Sequence, residues 1–185
     1  TADRFSTIHI HGELSKPDSV IFGYGDEMDE EYDVLKKKND NKYLKHMKTP
    51  RYLENDNYRR MEDFAESGPF QIYIMGHSCG NSDRTLLNTL FEHPNCISIK
   101  PFYYKRNDSL DNYNEIAQNI SRNFTNKQAL RDKVVNKKYC EPLIQHTKKE
   151  TLSSLDYYIS LIKNMNIPMV GKFKAPYKPM LMLAL

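Results

Sequence analysis

Two short segments carry the residue types that could do chemistry. One is Ile8-His9-Ile10-His11-Gly12; the other is Gly76-His77-Ser78-Cys79-Gly80, which follows the apolar run Gln71 to Met75 and precedes Asp83. A strand, a tight polar turn and a helix start form a place where an α/β protein presents reactive groups. The Ser78-centred pentapeptide fits the nucleophile-elbow pattern G-x-S-x-G, with Ser78 attacking and a histidine taking its proton. The same turn fits contact with a nucleotide phosphate or ribose. In that reading Ser78 donates to an oxygen, and free N–H groups at the helix start add partial positive charge. His11 and His77 would then hold hydroxyls or move a proton. Asp83 is a candidate for the site and, more plainly, for the cap of the following helix. The catalytic candidates are therefore His11, Ser78 and Asp83.

The flanks favour the nucleotide reading over the hydrolase, and a non-catalytic sensing or interaction module is the third reading. In an elbow the second glycine leads directly into a helix, whereas Gly80-Asn81-Ser82 delays it. Hydrolases of that type order their residues Ser, acid, His, and the only histidines downstream of Ser78 are His93 and His146. His9, His11 and Cys79 could meet as metal ligands, but no second close pair supports a zinc site, and no metal is expected. His9 shares a face with His11 and reads as a packed histidine.

Stepping out from these residues, Thr7 to His11 alternates as a strand should, and Val20-Ile21-Phe22 reads as a short buried strand closed by Gly23-Tyr24-Gly25-Asp26. Glu27 to Met47 is charged and weakly helical, and Tyr52 to Glu66 is a clearer helix. Phe70 to Met75 is a strand, followed by a helix burying Leu86, Leu87, Leu90 and Phe91. Cys96 to Tyr104 is a strand interrupted by Pro101. Leu110, Tyr113, Ala117, Ile120 and Phe124 have helical spacing, and Thr125 with Gln128 forms a capping-box pattern before a helix through Val135. This order predicts an α/β fold with three to five mostly parallel strands, Ile8–His11 and Ile72–Met75 being neighbours or one strand apart. A charged linker at 146–150 puts a boundary near 147–150, dividing an α/β domain (1–147) from a helical segment (151–185). In that segment Leu152, Leu155, Ile159 and Ile162 mark one helix, and Pro179 would sit in the first turn of another.

The 185 residues allow one domain with a real core. Net charge is only +3, and Lys36-Lys37-Lys38 lies among acidic residues, so direct nucleic-acid binding by 1–147 is not expected. Three cysteines without C-x-x-C spacing suit a reducing, cytoplasmic setting, and no apolar stretch is long enough to span a membrane. The chain opens on Thr1 and stops inside the apolar run Met180 to Leu185, so it reads as a piece of a longer protein. Its expected partners are the missing amino-terminal half and, to cover the cut sheet edge, a second copy of itself.

Ile8-His9-Ile10-His11-Gly12, then Ile21-Phe22-Gly23-Tyr24-Gly25, then Ile72 to Ser78 with Asp83, resemble the AbiH family of bacterial phage abortive-infection proteins. The likeness covers roughly residues 5 to 145, the carboxyl-terminal half of such a protein, with Cys79 standing where the family commonly has Leu. It implies phage defence. The family in turn is distantly similar to sirtuin-like NAD-binding proteins, which implies a Rossmann-like three-layer core, incomplete here. That likeness also implies an NAD-like cleft lined by His11, Gly12, Gly76 and Ser78, with His77 and Asp83 following the AbiH pattern alone. The sirtuin-like phosphate loop and the catalytic Asn and His would lie upstream, so this piece alone is expected to be inactive. Lys172 to Leu183 resembles the first helix of a domain that precedes HNH nucleases.

Overall fold

The computed structural model describes residues 7–143, except 24–26, 29, 46 and 108, together with the backbone of 178–183. Its elements are α1 (Glu30–Lys37), α2 (Asn41–Leu44), α3 (Lys48–Arg51), α4 (Asn57–Glu66), β1 (Phe70–Met75), α5 (Arg84–Glu92), β2 (Cys96–Pro101), β3 (Lys105–Asn107), β4 (Leu110–Asp111), α6 (Tyr113–Arg122), α7 (Lys127–Lys133) and β5 (Lys178–Leu183).

β1 is the centre of the fold because it is buried along its whole length. A strand covered on both faces needs a neighbour on each edge to satisfy its backbone. β2 and β5 supply them, giving the order β2-β1-β5 with both pairings parallel. Ile72 lies opposite Ile99 on one side and Met180 on the other. Period two then sorts the side chains of β1. Phe70, Ile72 and Ile74, all fully buried, pack under helices against Met61 and Ala65 of α4, Leu86, Leu87, Leu90 and Phe91 of α5, and Ile116 and Ile120 of α6. Each such side chain contributes about 1.5–3 kcal/mol by leaving water. The opposite face carries Tyr73 and Met75 with Phe102 and Leu143. None of these four belongs to a helix, so among the described residues one helical layer covers the sheet.

The α/β class, the strand at 70–75 and the helix that buries Leu86, Leu87, Leu90 and Phe91 agree with the sequence pattern. Several expectations do not hold. Thr7–His11 is not a strand beside β1, because both edges of β1 are taken by β2 and β5. Its backbone is satisfied otherwise: Gly12 N–H donates to the His9 carbonyl, Asn57 Nδ2 donates to the same oxygen at 2.9 Å, and Ile21 N–H donates to His11 O. Val20–Phe22 is likewise irregular, with Ile21 buried and Phe22 87% exposed. Leu110 is on β4 and exposed, and α6 starts only at Tyr113. The cap of α7 is Asn126, whose side chain accepts from the N–H groups of Gln128 and Ala129, because Thr125 is engaged by Glu92 instead. Residues 178–183 form a strand and not the expected helix around Pro179. Among the described residues β5 lies at the sheet edge, a position that tolerates a proline. The helix expected over 152–162, the boundary at 147–150 and Tyr24-Gly25-Asp26 lie outside the described residues.

Candidate functional site

The chain leaves β1 through Gly76, whose φ of +73° is in the left-handed region that a glycine adopts without strain. Cys79, two residues after His77, takes φ +54° despite its side chain. The strained residue of the turn is thus Cys79, fully buried, and not the exposed Ser78. A short 3-10 turn, Asn81–Asp83, then leads into α5.

This path aims Asp83 sideways. Asp83 is the N-cap residue of α5, but its carboxylate makes no cap hydrogen bond. It faces three donors instead. Lys48 Nζ lies 2.7 Å and His11 Nε2 3.2 Å from Oδ1, and His77 Nε2 lies 3.5 Å from Oδ2. Burial by itself pushes the Asp83 carboxyl up. The hydrogen bonds from His11, His77 and Lys48, with the Lys48 charge, outweigh it and hold the group well below the usual carboxylate range. Asp83 is therefore a fixed anion that orients its neighbours, not a proton carrier.

The hydrogen bonds also assign the histidine tautomers. Cys79 N–H donates to His77 Nδ1 at 2.9 Å, so the His77 proton is on Nε2 and points to Asp83. His11 likewise directs Nε2 at Asp83, with the Tyr52 hydroxyl 3.1 Å from the same nitrogen. Its proton belongs on Nε2, since a carboxylate only accepts. His11 Nδ1 is then the basic nitrogen, without a hydrogen-bond partner among the described residues, on a side chain 26% exposed. An anion behind one ring nitrogen and an open lone pair on the other is the arrangement of a general base.

His11 reaches Asp83 from an irregular segment. Gly12 has φ +86°, and a Cβ there would lie 2.1 Å from the Ser19 carbonyl oxygen, so only glycine lets the 8–12 and 19–21 segments pass this closely. Asn55 Nδ2 donates to the same oxygen.

The structure thus brings His11, His77 and Asp83 together, with Gly12 and Gly76 providing the turns beneath them. Ser78 does not contact Asp83; its side chain is exposed, and no described histidine is hydrogen-bonded to its hydroxyl. His93 is engaged elsewhere, beside Glu66 and Phe70, and His146 lies outside the described residues. Burial, with the Asp83 charge adding to it, pushes the Cys79 thiol up to about 12, which removes it as a nucleophile. His9 is exposed and not the packed histidine expected; no group of three His, Cys, Asp or Glu side chains among the described residues is arranged to hold a metal. Lys48 and Tyr52 were not legible as site residues. Lys48 closes a basic run that reads as a solvated face, and Tyr52 reads as a helix start.

A family profile described as Bacteriophage abortive infection AbiH matches residues 2–105, more than half of the chain. The chain belongs to the AbiH family. All four residues of the cluster, His11, Lys48, His77 and Asp83, fall inside the matched stretch, whereas α6 and α7 follow it. This AbiH-family chain matches no curated protein and no solved structure. Among its described residues no helix is long and apolar enough to cross a membrane.

Proposed function

We propose that this AbiH-family chain serves phage defence through a nucleotide site of NAD-like chemistry at the carboxyl end of β1, with His11 as proton acceptor. The observation that carries this reading is the Asp83 anion backing His11 while His11 Nδ1 has no hydrogen-bond partner among the described residues. The location supports it, since ligands in parallel sheets sit beyond the carboxyl ends of strands. Gly76 and Ser78 follow β1 directly, and the α5 N-terminus is left without a side-chain cap. Ser78 presents its hydroxyl to a phosphate or ribose oxygen, Gly76, with open space where a Cβ would stand, allows close approach, and His77 holds Asp83 in place. Arg84, the first residue of α5, keeps a buried Nε–H with no partner, which suits a polyanionic ligand nearby. A Rossmann-like relationship is part of this proposal and rests on the parallel sheet and the strand–turn–helix path.

The test is the melting temperature of the protein with and without NAD or ADP-ribose. Either ligand is expected to raise it by binding the folded state alone. Ser78→Ala, a change at an exposed position, is expected to remove most of that rise while leaving the ligand-free melting temperature unchanged. No rise with either ligand, or fluorophosphonate labelling of Ser78 that the same substitution abolishes, overturns the proposal; the labelling would point to a serine hydrolase.

A further inference from the structure

We propose that Asn119 on α6 and Asn123, the residue that ends it, both beyond the stretch matched by the family, are positioning residues that set the His77 tautomer and so the donor set on Asp83. They are four residues apart and so lie on one face of the helix. Asn119 Nδ2 donates to the Ser78 carbonyl and Asn123 Nδ2 to the Cys79 carbonyl, each at 2.8 Å. The two amides thereby grip successive carbonyls of the turn that carries His77.

The consequence follows from peptide geometry. The Ser78 C=O and the Cys79 N–H belong to one planar trans peptide and point in opposite directions. Pulling the carbonyl toward Asn119 turns the N–H away from α6 and onto His77 Nδ1, where it is found at 2.9 Å. That nitrogen must then be unprotonated, and the ring proton goes to Nε2, which faces Asp83. Asn123 fixes the next peptide and so holds Cys79 at φ +54°, a conformation that costs a residue with a Cβ about 1–2 kcal/mol.

The asparagines are themselves oriented. Arg122 Nη1 donates to Asn119 Oδ1, leaving the Asn119 amide N–H groups for the turn. Asn123 is almost fully buried, its side-chain amide also donates to the Asn119 backbone carbonyl, and its backbone carbonyl accepts from Asn88 Nδ2 on α5, while its Oδ1 is buried without a partner. The turn, α5 and α6 are thus tied through three asparagine side chains. This inference rests on the Asp83 cluster being the working site, but its readout needs no ligand.

The experiment is nitrogen NMR of the full chain with labelled histidine. In the unsubstituted protein His77 is expected as the Nε2–H tautomer, with a coupling across the hydrogen bond from Cys79 N–H to Nδ1. Asn119→Asp keeps the side-chain shape but removes the donor. It is expected to lower the ratio of Nε2–H to Nδ1–H forms by about five- to tenfold, the size of one lost hydrogen bond. Asn119→Gln, which keeps a donor, is expected to restore most of it. An unchanged His77 tautomer in folded Asn119→Asp overturns the proposal. So does an Nδ1–H form in the unsubstituted protein, which decides the matter even if the variants fail to fold. A failure of ligand binding with the tautomer as stated would count against the nucleotide reading alone.

Discussion

The two halves of the site are built in different ways. His77 and Asp83 come from a strand–turn–helix path whose strand is wholly buried and whose helix packs four apolar side chains on the sheet. His11 comes from an irregular segment, and Lys48 and Tyr52 from the two ends of the single-turn α3. They are joined to the rest by side-chain hydrogen bonds, the Gly12–Ser19 close approach and the ion pair to Asp83. The first half is held by burial, which is non-directional and large. The second adds, to the packing of the half-buried Ile8 and Ile10 on the core, a few directional contacts, each worth about 0.5–1.5 kcal/mol net. Such a half can rearrange without the sheet unfolding, while a change in the sheet takes the site with it.

Substitutions in the two halves should therefore separate in kind. Ile74→Ala removes a fully buried side chain from the middle of β1 and is expected to cost about 2–5 kcal/mol of global stability in denaturant unfolding. Gly12→Ala forces a Cβ onto the Ser19 carbonyl at a positive φ. It is expected to cost less globally, about 2 kcal/mol, but to raise hydrogen exchange over residues 8–21 selectively. Equal, uniform exchange in both variants would erase the distinction.

Acid should loosen the join between the halves. The Asp83 carboxyl is held below its unfolded value, so its contribution is fully present above about pH 4 and is lost as pH falls further. The unsubstituted protein is expected to lose stability on acidification more steeply than Asp83→Asn, measured by denaturant midpoints from about pH 5 down to pH 2. Parallel curves would mean that the carboxylate is not paired as described.

The same division governs what the sequence makes legible. Phe70–Met75 and Arg84–Glu92 announce themselves through continuous burial and helical spacing, and the glycine turn between them places His77 and Asp83. His11 was recognisable by type, although its segment is a turn and not a strand, because an alternating pattern shows only that Ile8 and Ile10 face apolar surroundings. Lys48 left no local signal, since a lysine that crosses to a carboxylate 35 residues away looks like any other in a charged run. Asp83 carries the pattern of a helix cap, and only the tertiary donors around it decide otherwise. Asn119 and Asn123 had a faint signal, two amides four apart, one on a helix that otherwise reads as simply amphipathic and one at its end. β5 was hidden by Lys178-Pro179, which opens an edge strand as readily as a helix.

One carboxylate joins the two halves, and a double-mutant cycle between His11 and Asp83 measures that join. The unfolding free energies of His11→Ala, Asp83→Asn and the double variant would be compared at neutral pH. A coupling of about 1–3 kcal/mol is expected, as for groups in one buried polar network. Additivity within about 0.5 kcal/mol would mean that His11 and Asp83 do not meet in the folded protein, and the site as described would not exist.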